Sequence, residues 1–328
     1  MKTVIITGAL GYIGSHTAKV FQRAGYRVVG IDRELTIPHG SLFLDALLKD
    51  DFVNIAAQAA AIEKADAIIH IAGTSLVGPS ISNPYEYYDN NVSKTNRMLE
   101  DLRNLKWKGK IVFSSSAATY GNDCTVPISE NAVQRPVSPY GFSKLMGEQL
   151  IQSYCHAYGM KGIALRYFNA CGCDTEGDLG NTRYDTHLIP RIIENIITRN
   201  RFVMNGNDFN TRDGTCVRDY LHVLDIANAH LEAVCLAETL HSGDFVAYNL
   251  GTGSGHSNLE IVKACESVTG NSLNLRFSNR REGDPDELVA NPHNFMNATS
   301  WKPEHSDLTT IIKTTYDWMK KFNYSEEE

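Results

Sequence analysis

Short, continuous apolar runs alternate with longer amphipathic stretches through the first half of the chain. Thr3–Ile6, Arg27–Ile31, Ala67–Ile71, Lys110–Phe113 and Gly162–Leu165 are rich in Ile and Val and are bounded by polar residues or glycine. Runs of that kind suit strands buried on both faces. Between them, Ser15–Ala24, Asn54–Lys64, Asn90–Leu105 and Ser143–Tyr158 read as helices. Strand–helix alternation at this spacing predicts an α/β fold, a Rossmann-type doubly wound parallel sheet with right-handed crossovers. A later run, Phe245–Leu250, would return to the sheet. The alternation fails over 170–224 and 259–328, where Asn, Asp and Arg accumulate. These segments predict a smaller C-terminal α/β domain closing over the carboxyl ends of the strands. The first domain then comprises 1–169 with about 225–258, and the second 170–224 with 259–328.

With 328 residues, 42% hydrophobic and 21% charged, the chain can bury a large core and does not resemble a disordered or fibrous polypeptide. Acidic residues number 38 against 31 basic, for a net charge of −7. The absence of any Lys/Arg run argues against nucleic acid or anionic lipid as partner. Seven cysteines at irregular spacing do not form a disulfide framework, and Cys171-Gly-Cys173 lacks the second pair a zinc site needs. Free thiols in a reducing compartment and no metal are expected. No apolar stretch reaches the ~18 residues of a membrane span. The amino-terminal apolar run meets Gly8 too early for a signal peptide. A cytoplasmic protein that engages neither membrane nor nucleic acid is the expectation.

Gly8-Ala9-Leu10-Gly11-Tyr12-Ile13-Gly14 follows the first strand and opens the first helix. Glycines there permit the tight turn and close approach of backbone to a pyrophosphate, which the helix N-terminus then faces. The spacing is Gly-x-x-Gly-x-x-Gly. Asp32 stands 18 residues after Gly14, where a carboxylate can accept both hydroxyls of an adenosine ribose and repel a 2′-phosphate. NAD is therefore favoured over NADP, with Arg33 as a mild counter-signal. Further on, Tyr140-Gly-Phe-Ser-Lys144 places a phenol and an ammonium at i and i+4 on one helix face, entered through Pro139. A fixed Lys cation, helped by the positive nicotinamide, favours phenolate, so a lowered Tyr140 pKa is expected. Ser114-Ser115-Ser116 ends the preceding strand and supplies a hydroxyl at the same sheet edge.

Together with these elements, four further segments carry a resemblance. They are Glu86-Tyr87-Tyr88-Asp89-Asn90-Asn91-Val92, Leu165-Arg166-Tyr167-Phe168-Asn169, the Asp213–Val223 stretch with Arg218-Asp219-Tyr220, and Arg280-Arg281-Glu282-Gly283-Asp284. In this order the chain resembles the extended short-chain dehydrogenase/reductases and, among them, the UDP-glucose 4-epimerase (UDP-galactose 4-epimerase) family, from about residue 3 to about 318. The resemblance implies oxidation at C4 of a UDP-sugar to a 4-keto intermediate and re-reduction on the opposite face, with NAD retained. It implies Tyr140, Lys144 and Ser116 as catalytic residues. The cofactor set would be Gly8, Gly11, Tyr12, Ile13, Gly14, Asp32, Asp51, Phe52, Ala72, Gly73, Asn90, Ser114, Tyr140, Lys144 and Phe168. The substrate set would be Ser116, Tyr140, Asn169, His187, Leu188, Arg218, Arg281 and Asp284. It also implies a homodimer through the helices 90–105 and 143–158.

The chain departs from the family pattern in places. The stretch from Arg33 to Asp50 is short, leaving Asp51-Phe52 as candidates for the adenine contact. Ser75 stands where several members carry Lys, and Leu288 where a residue gates room for a 2-acetamido group. A 4-epimerase of another UDP-sugar (an N-acetylhexosamine or glucuronate form), a sugar-nucleotide 4,6-dehydratase and a non-catalytic NAD-binding module are the alternatives. Ala117 and Ala118, in place of the Asp-Glu pair of dehydratases, argue against dehydration.

Overall fold

The computed structural model describes residues 1–33, 39–182, 184–281 and 284–323. Among them, seven strands form one parallel sheet: β1 (Thr3–Thr7), β2 (Arg27–Asp32), β3 (Ala46–Lys49), β4 (Ala67–His70), β5 (Lys110–Ser116), β6 (Lys161–Tyr167) and β7 (Phe245–Leu250). Their order is β7-β6-β5-β4-β1-β2-β3. The chain winds one way from β1 to β3 and the other way from β4 onward. A crevice therefore opens at the carboxyl ends of β1 and β4, where ligands of such sheets sit.

Side chains of β1 alternate between two apolar layers. Val4 and Ile6 face a cluster with Ala18 and Phe21 of helix α1 (Tyr12–Arg23) and with Ile226, Ala229 and Ala233 of the helix Val223–Thr239. Ile5 faces the other way, toward Met98, Leu99 and Leu102 of α2 (Lys94–Asn104) and Ile151 and Cys155 of α3 (Pro139–Tyr158). A third cluster stands apart from the sheet. It packs Ile189, Ile192, Ile193 and Ile196 of α4 (Leu188–Ile197) against Phe202, Ile261, Ile312 and Trp318.

The predicted strands are all present, whereas β3 is an addition. Half-exposed at the sheet edge, its Ala-Leu-Leu-Lys sequence offers no continuous apolar run. Two predicted helices differ. The segment 54–64 forms a 3-10 stretch, Phe52–Gln58, and then one α-turn, Ala59–Ile62. There Asn54 leaves helical geometry (φ −92°, ψ 24°) while its amide donates to Asp50 Oδ1 at 2.8 Å. A local side-chain bond of this kind competes with the helix. The segment 90–105 begins as a π-turn, Asp89–Ser93, before α2. Such turns recur at functional sites. α3 starts at Pro139, with Ser138 Oγ accepting from Gly141 N at 3.2 Å.

Candidate active site

The turn after β1 is built on glycine by necessity. Gly8 has φ +72°, and a Cβ there would stand 2.8 Å from Ala72 N. A Cβ on Gly14 would fall 1.9 Å from Gly8 O. Gly11 caps α1 without a side-chain bond, so the helix's first N–H groups face the crevice rather than a cap. This cradle fits the pyrophosphate of a dinucleotide such as NAD. At the end of β2, Asp32 Oδ2 accepts from Leu10 N at 2.9 Å and Oδ1 from Arg33 N at 2.8 Å. A carboxylate has about four acceptor sites, so capacity for a ribose diol remains.

Asp51 accepts from Lys94 Nζ at 2.8 Å and caps the following turn through Val53 N at 3.1 Å. The Phe52 ring is buried, 4.9 Å from that of His70. Both are thus engaged inside the fold. Ala72 N donates to Thr7 O at 3.0 Å, placing Ala72 and Gly73 beside the glycine turn. A Cβ on Gly73 would stand 2.8 Å from Asn91 Oδ1 and 3.7 Å from Lys144 Nζ. Asn90 Nδ2 donates to Thr74 Oγ1 at 2.8 Å.

Tyr140 and Lys144 lie in the first turns of α3, facing the end of β5. Lys144 is 5% exposed. Its Nζ donates to Ser114 O at 2.7 Å and stands over the rings of Phe113 (5.0 Å to the centroid) and Tyr140 (6.0 Å). Burial lowers its pKa from 10.5 to about 8, with Glu148 one helical turn away opposing the fall. Burial raises the Tyr140 pKa, a hydrogen bond with Ser116 opposes the rise, and Tyr87 adds to it. Among the protein's own groups burial dominates; the expected lowering draws on Lys144 together with the positive nicotinamide. With its proton directed at Ser114 O, this ammonium does not by itself overcome desolvation of the phenolate. Ser116 Oγ also accepts from Ala118 N at 3.2 Å.

A cavity of about 250 Å³ lies beyond β6, and Tyr12 at the start of α1 lines it too. In the sheet register Ser116 pairs with Tyr167, two residues before Asn169, which lines this cavity. His187, Leu188, Arg218, Arg281 and Asp284 line it as well, so six of the eight expected substrate residues share one wall system. Ser116 and Tyr140 stand outside its lining. Arg218 Nη1 is fixed by Val217 O (2.8 Å) and Pro285 O (3.0 Å). With its amide oxygen turned to the guanidinium, Asn205 accepts from Arg281 Nε and Nη2, both at 3.0 Å. His187 caps α4 and its Nδ1 contacts Thr186 Oγ1 at 3.0 Å and Asn181 Nδ2 at 3.3 Å. Two guanidiniums on a half-apolar cavity suit a nucleoside diphosphate. Phe168 is buried beside Ala117 and Ala290, with Leu288 packed on the same cluster. Glu282 and Gly283 of the Arg280–Asp284 motif lie outside the described residues.

The residues that match the family model, 4–251, are those of the NAD dependent epimerase/dehydratase family. The chain belongs to that family. It is 37% identical, over 339 aligned residues, to the UDP-glucose 4-epimerase of Halalkalibacterium halodurans, covering 99% of this chain and 98% of the relative. Among solved structures it is similar to UDP-glucose 4-epimerase from Brucella ovis in complex with NAD, with TM-score 0.90, 39% identity and coverage of 97% and 98%. It is also similar to that from Bifidobacterium longum in complex with NAD+ and UDP, with TM-score 0.89, 31% identity and coverage of 98% and 99%.

Around this family site the structure adds residues that sequence reasoning did not single out. Buried Asn91 accepts from Thr74 N at 2.8 Å and donates to Ser143 Oγ at 2.9 Å, joining the turn after β4 to α3. Glu148 and Arg166 form a buried pair through Nη2 at 2.7 Å and Nε at 2.9 Å, and Glu148 also accepts from Ser115. Their separation by 18 residues hides the pairing from local patterns. Leu76, just after Ser75, holds φ +86° without being glycine.

Proposed function

We propose that this protein interconverts UDP-galactose and UDP-glucose as an NAD-dependent 4-epimerase. The observation that carries the reading is the meeting of Ser116, Tyr140 and Lys144 beside a glycine cradle. The cavity holding Arg218 and Arg281 opens just beyond the same strands. The glycine turn, the α1 N-terminus and Asp32 would hold NAD, with Asp51, Phe52, Ala72, Gly73, Asn90, Ser114 and Phe168 around it. When bound, NAD supplies the hydride acceptor and donor at C4 and a positive charge beside the phenol.

Tyr140 takes the proton from the sugar's 4-hydroxyl and later returns it, and Ser116 holds the same oxygen. Lys144, anchored on Ser114 O, keeps a cation next to the phenol. Arg218, Arg281, Asn169 and His187 grip the nucleotide diphosphate, so the flat 4-keto sugar can turn over while its tether stays in place. Buried Ala117 and partly buried Ala118 offer no acid or base to expel water, which supports epimerisation over dehydration.

Belonging to the same reading are a cofactor domain, 1–169 with about 225–258, and a UDP-sugar domain, 170–224 with 259–328. The separate third apolar cluster supports that division. A homodimer through the helices 90–105 and 143–158 belongs to it as well, and exposed Phe142 and Met146, one turn apart on α3, support it. A cytoplasmic place in galactose metabolism completes it. Among the described residues no helix is long and apolar enough to cross a membrane.

Tyr140→Phe tests the assignment. Fold and bound NAD should persist while turnover falls by about 10²-fold or more, since only the proton acceptor is lost. A variant with near-wild-type turnover would remove Tyr140 from the mechanism.

A further inference from the structure

The helix that opens at the glycine turn also seats one wall of the substrate cavity. On α1, Tyr12, His16, Lys19 and Arg23 follow at intervals of four, three and four residues and therefore share a face. The segment 172–181 lies on that face. Tyr12 Oη donates to Gly172 O at 2.5 Å. The His16 ring stands edge-on to Tyr12 at 5.4 Å. Lys19 is 1% exposed and donates to Asp174 Oδ2 at 2.7 Å, Asp178 Oδ2 at 2.8 Å and Glu176 Oε2 at 3.2 Å. Arg23 reaches Glu176 Oε1 at 2.7 Å.

The segment itself winds around one carboxylate. Asp174 Oδ2 also accepts from the backbone N of Glu176 (3.2 Å) and of Asp178 (3.1 Å). Oxygens of Asp174, Glu176 and Asp178 lie within 4.8 Å of one another. Three carboxylates that close repel unless a cation stands among them, and the Lys19 ammonium fills that place. The other side of the segment faces the cavity through Gly172 and Asn181, and Asn181 contacts His187.

We propose that Lys19 is a positioning residue for the UDP cavity. Its ammonium gathers Asp174, Glu176 and Asp178 and so fixes the 172–181 wall on the helix that carries the glycine turn. The proposal rests on reading that cavity as a UDP site. Lys19 does not touch the nucleotide; it acts through Gly172, Asn181 and His187. Loosening this clasp therefore weakens nucleotide affinity and leaves the cofactor cradle and the Tyr140–Lys144 pair in place.

The test is calorimetric titration of UDP into NAD-replete protein, with bound NAD per chain and steady-state kinetics measured alongside. Lys19→Met should raise the Kd for UDP and the KM by about tenfold, with kcat within about twofold and NAD retained. Asp178→Asn, whose side chain is 41% exposed, should raise Kd by about threefold and decides the matter if Lys19→Met does not fold. Folded variants that bind UDP with wild-type affinity overturn the proposal. Equal losses of kcat, NAD and UDP affinity also overturn it, because they indicate general damage. Wild-type protein that fails to bind UDP contradicts the functional reading itself, a result separable from either.

Discussion

Replacing Lys144 by Met should stabilise the protein while abolishing its activity. The ammonium is nearly inaccessible, and burial lowers its pKa from 10.5 to about 8. A displacement of that size corresponds to roughly 3 kcal/mol against the cation at pH 7. Methionine keeps an unbranched chain of similar volume without the charge. Against the gain stand the lost bond to Ser114 O and the contact over Phe113, each about 1 kcal/mol. A net gain of roughly 1–2 kcal/mol remains, or a rise in Tm of a few degrees. Thermal unfolding of NAD-free wild type and variant at a series of pH values reads it.

The pH series fixes the cause. A lysine with a depressed native pKa carries its full penalty below about 8, where both native and unfolded states are protonated. Between about 8 and 10.5 the native state releases its proton first, so wild-type stability rises relative to the variant and the gap closes. A variant less stable than wild type by more than about 1 kcal/mol at pH 7 would refute the desolvation argument. So would a gap that does not shrink by pH 10.

Other consequences are as direct. Gly14→Ala forces a methyl into Gly8 O and should abolish NAD retention, read as cofactor released on denaturation; retained NAD would disprove the cradle. Asp32→Ala should weaken NAD retention without unfolding the chain, and unchanged retention would count against its ribose role. Glu148→Ala strands buried Arg166 without a counter-charge and should cost about 3–5 kcal/mol in denaturant unfolding, with the Glu148→Met/Arg166→Met pair recovering part of it. A loss below about 1 kcal/mol for the single variant would contradict that accounting.

Much of this was legible in the sequence where periodicity or steric necessity leaves a local mark. Buried strands announce themselves as apolar runs, and Gly8 and Gly14 stand where any side chain meets backbone. The edge strand Ala46–Lys49 escapes that rule because only alternate residues are covered. Long-range pairings escape it too. Lys19 reads as a surface residue on an amphipathic helix until the fold brings Asp174 to it, 155 residues away. The burial of Tyr140 escaped for a related reason. Spacing places a cation near the phenol, but burial, which opposes it, is a property of the packed helix and sheet.

The central claim is tested most directly by proton NMR of UDP-galactose incubated with the purified protein and no added nucleotide. Conversion to UDP-glucose is expected and would demonstrate both the 4-epimerase reaction and NAD carried through purification. No UDP-glucose, even after NAD is supplied, would contradict the account and turn attention to other UDP-sugars and to Ser75 and Leu288.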